Sequence, residues 1–397
     1  MASPVSRARS GRQRSRSDGS NAGNSTDTTM TLFRSSAFRR GLWSILFAAT
    51  CGAVCAQAPA GTMPVYQPPV APNKGVLRIF GAGLHGLVGE WEAAYLKHNP
   101  NVKIADNPGG SDAAIGALQH GTAEIAVFGR ELELNDYLGF FENKGYNPTE
   151  ITVASGTYDV PGASWGLLIF VNKDNPLAQL TMRQLDGVFG SERTGGYEGY
   201  VWKPENARGA KENIRTWDQL GVTGEWAGKE IQTYGYAAGG MAHFFEIEVL
   251  KGSNKWNGNY RQYVENGTKI LTAGRESAGV LAMLAELEKD KYGIAWAGMP
   301  QWNQVPQIKG IKTIALARSP GGPFVAPNKA TFADRSYPLT RSVYIYLDQE
   351  PGRPLSPKVK DFVKFVLSEE GQEIVRRHGI YFALPPALVR EQLAKLE

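Results

Sequence analysis

Three stretches of this chain repeat one design: the end of a strand, a glycine-rich turn and the start of a helix. They lie at 81–86 (GAGLHG), 108–113 (PGGSDA) and 238–243 (AGGMAH). The first turn of a helix has N–H groups without intrahelical partners, and the helix dipole adds partial positive charge there. Such starts hold oxyanions. Strand and helix also alternate through the rest of the chain, which argues for an α/β fold on a mostly parallel sheet. VLRIF (76–80) suits a buried strand, and Leu87, Trp91, Ala94 and Tyr95 mark one face of the helix after it. NVKIAD (101–106) and EIAVFG (124–129) are further strands, with a helix over 111–120 closed by Gly121 between them.

A second α/β region spans roughly 165–320. Its expected strands are 163–172, 292–298 and 311–317, and its expected helices 180–189, 241–251 and 277–289. Residues 190–230 read as loop. At the carboxyl end Ser356 caps a helix with Pro357 at its first position and Val359, Phe362, Val363 and Val366 on its apolar stripe. Ser368 starts another helix that stops at Gly379.

The amino end reads as an address. Arg34, Arg39 and Arg40 precede the short apolar run LWSILFAA (42–49), and Val54 and Ala56 stand at the −3 and −1 places before Gln57. That is the layout of a cleaved secretory signal over 30–56, with Met30 as an alternative start and a Ser/Arg-rich disordered segment over 1–29. Both cysteines, Cys51 and Cys55, fall inside the signal, so the mature chain uses no disulfide and no thiolate chemistry. Residues 57–75 are Pro-rich and are expected to form an extended tether. Charge follows the same division. Residues 1–56 hold eight of the 43 Lys and Arg but two of the 38 Asp and Glu, leaving −1 for residues 57–397. The folded part therefore gives no support for a nucleic-acid partner.

Several motifs point toward chemistry and fall short. GAGLHG with Asp106 twenty residues on fits a dinucleotide fingerprint, but the glycines equally serve a close turn. GASWG (162–166) has the letters of a nucleophile elbow, yet its strand follows Ser164 instead of preceding it. His85, His98, His120, His243 and His378 show no metal-ligand spacing, and His243 with Glu246 reads as a surface pair. Asn266-Gly267-Thr268 marks a surface loop at most. No catalytic residue, metal or cofactor is expected.

Longer segments carry a resemblance. WEAAYLKHNPNVKI (91–104), GGSDAAIGALQHGTAEIAVFGR (109–130), LLIFVNKDNPLAQLTMRQLDGVFG (167–190), ADRSYPLTRSVYIYL (333–347) and VKDFVKFVLSEEGQEIVRRHGI (359–380) resemble the substrate-binding proteins of phosphate ABC transporters. The resemblance implies a two-lobed type II periplasmic-binding-protein fold. The first lobe would take residues 76–162 and 341–397 and the second 163–340, with hinge strands near 163–172 and 340–347. It implies a monomeric periplasmic receptor that hands phosphate or a related small solute to a membrane permease. The implied ligand-binding positions are Gly83, Leu84, Gly110, Ser111, Gly129, Arg130, Tyr236, Gly239, Gly240 and Met241, with a proton-accepting carboxylate at approximately Glu124. Here the chain departs from the family. Ala82, Leu84, Ala113, Gly129 and Met241 stand where hydroxyls or their neighbours are usual, and Tyr236 where an arginine often stands. Apolar substituents and Tyr158, Trp165 and Tyr236 nearby suit a larger organic solute. A divergent receptor, sensor or interaction module is thus one alternative, and a secreted nucleotide-dependent enzyme using Gly81–Gly86 another.

Overall fold

The computed structural model describes residues 61–265, 269–272 and 275–397. The expected signal, both cysteines, Met30 and Asn266-Gly267-Thr268 lie outside the described residues. Among those described, no helix is long and apolar enough to cross a membrane.

Two five-stranded sheets organise the chain. In the first, β1 (Gly75–Gly81), β2 (Val102–Asn107) and β3 (Ile125–Phe128) run parallel, with β1 in the middle. Their crossovers are α1 (Leu87–His98) and α2 (Ser111–Gln119). The register sets Val76 beside Lys103 and Phe80 beside Ala126. β1 and β3 approach so closely at Gly81 that a Cβ there would lie 2.1 Å from the Val127 carbonyl oxygen, and its φ is +130°. The first glycine of GAGLHG is thus required by strand packing. β4 (Thr149–Ser155) lies at the far edge and pairs with a return strand, Ser342–Leu347, which runs antiparallel between β3 and β4. That strand is buried throughout, as its run SVYIYL requires.

The second sheet has the order Arg261–Tyr263, Gln232–Tyr236, Gly293–Ala297, β5 (Leu168–Asn172), Ile311–Thr313. The first three are parallel, and β5 is antiparallel to both of its neighbours. The two sheets have separate cores. One gathers Trp91, Tyr95, Phe362 and Phe365 under α1 and the carboxyl-terminal helices. The other gathers Phe170, Phe189, Phe245 and Trp296. Two backbone segments cross between the sheets side by side: the Gly156 N–H donates to the Arg341 carbonyl at 2.7 Å, and the Leu167 N–H to the Leu339 carbonyl at 3.1 Å.

Several expected elements change in detail. The helix set at 277–289 is the strand Arg275–Ala278 followed by a helix over Val280–Lys289, and β5 begins only at Leu168. Residues 190–230 contain a hairpin, Gly196–Glu198 with Val201–Lys203, and single 3-10 turns. They are anchored by a buried bidentate pair in which Arg193 Nη1 and Nη2 each donate to Asp186 at 2.7 Å. A helix that the pattern had not suggested, α3 (Leu134–Lys144), packs beside α2. The Pro-rich segment, from residue 61 on, is docked instead of forming a free tether. Tyr66 and Asn73 both donate to Asp361 Oδ2, at 2.9 and 2.8 Å, and the Pro64 carbonyl accepts from the Glu369 N–H.

Candidate functional site: a cleft at converging helix starts

α2 begins at Ser111, with Gly110 before it at φ +88°, a conformation that favours glycine. The Ser111 hydroxyl accepts the Gly129 N–H at 3.1 Å, tying the helix start to the end of β3. Ser164 donates to the Gly129 carbonyl, and a Cβ on Gly129 would lie 2.9 Å from the Ser164 oxygen. Leu84 is buried against this point and takes φ +47°, while Gly83 lies against Pro108. The third turn comes from the second sheet. Gly239, at φ +95°, precedes the helix Gly240–Glu248, and a Cβ on Gly240 would sit 3.6 Å from the Arg130 Cβ. Nine of the ten expected positions therefore form one patch: Gly83, Leu84, Gly110, Ser111, Gly129, Arg130, Gly239, Gly240 and Met241.

Tyr236 is the exception. Its ring is 1 % exposed, packs 4.6 Å from the Trp296 ring, and accepts the Gly298 N–H. Burial pushes its phenol far above the ordinary range. It belongs to the core of the second sheet, as Trp165 does, and Tyr158 packs on Phe332 at that core's margin. The apolar wall expected of these aromatics is therefore packed inside the fold. Glu124 is also displaced from its expected place. It stands just before β3, at the opposite end from Gly129, and pairs with Lys358 at 2.9 Å.

Charge in the patch is heavily self-compensated. Arg130 gives its Nε and Nη2 to Asp112 Oδ1, at 3.0 and 2.7 Å, and its Nη1 to Asp136 and the Glu131 carbonyl at 2.8 Å. A second cation, which sequence reasoning missed, reaches in from the start of the return strand. Arg341, whose side chain is 3 % exposed, pairs with Glu131 at 2.8 Å. Its Nη2 also donates to the Gly240 carbonyl at 3.0 Å. The signal was in Tyr-Pro-Leu-x-Arg itself, where a charge opens an otherwise apolar strand. Glu265 lies 3.3 Å from a Cβ built on Gly239, and burial raises its carboxyl while Arg341 pulls it back. Beside the patch a cavity of about 680 Å³ opens between the elements of the two sheets, lined by Glu131, Glu150, His243, Glu246, Glu248 and Tyr344 among others. Burial raises the carboxyls of Glu150, Glu246 and Glu248.

Comparisons with known proteins place the chain among proteins already described. A model of the PBP superfamily domain covers residues 83–370. The phosphate-binding protein PstS of Pseudomonas aeruginosa is 30% identical over 346 residues, covering 87% of this chain and 93% of that protein. The chain belongs to the PstS family. Within it, PstS of Staphylococcus saprophyticus is 23% identical over 307 residues, covering 76% of this chain and 78% of that one. Among solved structures, an ABC-type phosphate transport receptor from Vibrio cholerae covers 78% of this chain and all of its own, at 18% identity and a TM-score of 0.45. The fold is that of the type II periplasmic binding proteins, two lobes joined by hinge strands. PstS proteins bind a solute, and this member is a binding protein and not an enzyme.

Proposed function

We propose that this chain captures phosphate, or an oxyanion close to it, outside the cytoplasmic membrane and presents it to an ABC permease. Membership of the PstS family supports the class of solute. The observation that carries the reading is that Arg130 links two helix starts, pairing with Asp112 beside Ser111 and lying against Gly240, where Arg341 also reaches. First-turn N–H groups of both helices supply donors without side chains. Two features weaken the grip. The side chains at Leu84, Ala113 and Met241 donate nothing, and each absent hydrogen bond to a charged group forgoes about 1.5–3 kcal/mol. Asp112, Asp136 and Glu131 also compete for the arginines. Phosphate binding is accordingly weaker than in PstS proteins that keep those hydroxyls. Isothermal titration with phosphate, and with sulfate as comparison, tests this. No heat from phosphate at millimolar concentration would defeat it. The carboxylate-lined cavity supports a second reading, a solute that carries a cationic or neutral group beside its anionic one. Mass spectrometry of solute released from the purified protein separates the two.

A further inference from the structure

Arg341 has an unevenly used guanidinium. One edge is fully engaged: Nε and Nη2 both donate to Glu131 Oε2, at 3.0 and 2.8 Å, and Tyr344 donates to the other oxygen of that carboxylate at 3.1 Å. The remaining corner, Nη1, has the Met241 sulfur as its one acceptor among the described residues, at 3.3 Å. A thioether is a weak acceptor, and a buried charged N–H that faces one is poorly satisfied. The position of that corner matters. Gly240 and Met241 are the first two residues of the helix Gly240–Glu248, whose first turn has N–H groups without intrahelical partners, and Arg341 touches both. A Cβ on Gly240 would lie 3.1 Å from Arg341 Nη2 and 3.6 Å from the Arg130 Cβ. An anion seated on this helix start therefore lies between two arginines. They differ in what is left to give. Arg130 has acidic or carbonyl partners on both edges. Arg341 keeps a corner without one.

We propose that Arg341 is a ligand-binding residue, donating from Nη1 to the bound anion while Glu131 and Tyr344 hold its other edge. It would supply, from the return strand, the cation that position 236 lacks. Glu131 is then a positioning residue: it aims the fork and cancels its net charge, so the contact is directional more than it is a long-range attraction. This assignment rests on the function proposed above.

The distinguishing variant is Arg341→Lys. It keeps the charge, but an ammonium cannot hold Glu131 along one edge and donate along another. Phosphate titration should show a loss of about tenfold or more relative to the unaltered protein, the loss of one charge-assisted hydrogen bond. The double variant Glu131→Gln with Arg341→Gln removes both charges together, so neither is left buried alone, and should lose at least as much with a cooperative melt retained. Unaltered protein that binds phosphate, with both variants within twofold of it, overturns the assignment and leaves the functional reading intact. Unaltered protein that does not bind phosphate overturns the functional reading, and the assignment with it.

Discussion

Asp112 offers a direct test of how the cleft is restrained. Its side chain is 93% exposed and holds Arg130, whose own side chain is 15% exposed. An ion pair with one partner in water contributes little to stability, about 0–1 kcal/mol. Asp112→Asn should therefore fold and melt close to the parent. Ligand affinity is a different matter. The substitution loosens the Nε–Nη2 edge of Arg130, which now sits on Asp112 at 3.0 and 2.7 Å. A charge-assisted bond from that edge to an anion would contribute about 1.5–3 kcal/mol, less what the asparagine oxygen still claims. Removing the carboxylate also removes repulsion of about 0.6 kcal/mol per unit of ligand charge, for a separation of roughly 7 Å at the dielectric constant of water. A net gain of about 1.5 kcal/mol, roughly tenfold in Kd, is the expected outcome. The assay is isothermal titration with phosphate at fixed pH and ionic strength, paired with a thermal melt of each protein. Equal or weaker affinity with an unchanged melt would refute the idea that internal carboxylates restrain this cleft.

Other expectations follow from the wider structure. Burial first, and then neighbouring Asp106, push the Glu92 carboxyl up to about 7, and its Oε1 is buried without a hydrogen-bond partner among the described residues. Its proton is held more tightly when folded, so its stabilising contribution is full below 4.5 and is lost as pH rises through 7. Glu92→Gln should thus stabilise at pH 8 by about 1–2 kcal/mol after allowance for partial exposure, and not at pH 4, in urea unfolding at both values. Asp186→Ala leaves the buried Arg193 and Arg208 without their shared carboxylate, and should cost about 3–5 kcal/mol by the same assay. A cost below 1 kcal/mol would show that the loop after residue 190 is anchored elsewhere. Amino-terminal sequencing of protein from the periplasmic fraction should begin at or near Gln57. Full-length protein in the cytosol would be the contrary result.

The parts legible from sequence were those where a buried face repeats at a regular spacing. VLRIF and EIAVF read as buried strands from their apolar runs, SVYIYL came with the family resemblance, and the stripe from Val359 to Val366 fits one face of a helix. α3 escaped because only Phe140 of its eleven residues is buried, so LNDYLGFFENK shows no clean stripe. The glycine turns were legible too, since positive φ at Gly110 and Gly239 leaves little choice of residue. What sequence could not give was direction at the ends of strands. Tyr236 and Arg341 both stand at the ends of strands near the glycine turns, yet one side chain packs on Trp296 in the core and the other reaches the helix start at Gly240. Nor could spacing reveal that Asp112 and Glu131 would occupy the arginines, because those pairs join residues 18 and 210 positions apart.

The return strand also has a consequence for how the chain is made. Tyr346 stands between Ala126 on β3 and Glu150 on β4, and among the described residues those two strands are paired through the return strand. A chain synthesised as far as residue 341 has both edges exposed and a gap at the middle of its first sheet. Pairings this distant along the chain form late and slowly. The first sheet therefore cannot close until residues 342–347 have left the ribosome, and the position of one strand delays its completion until most of the chain has been made.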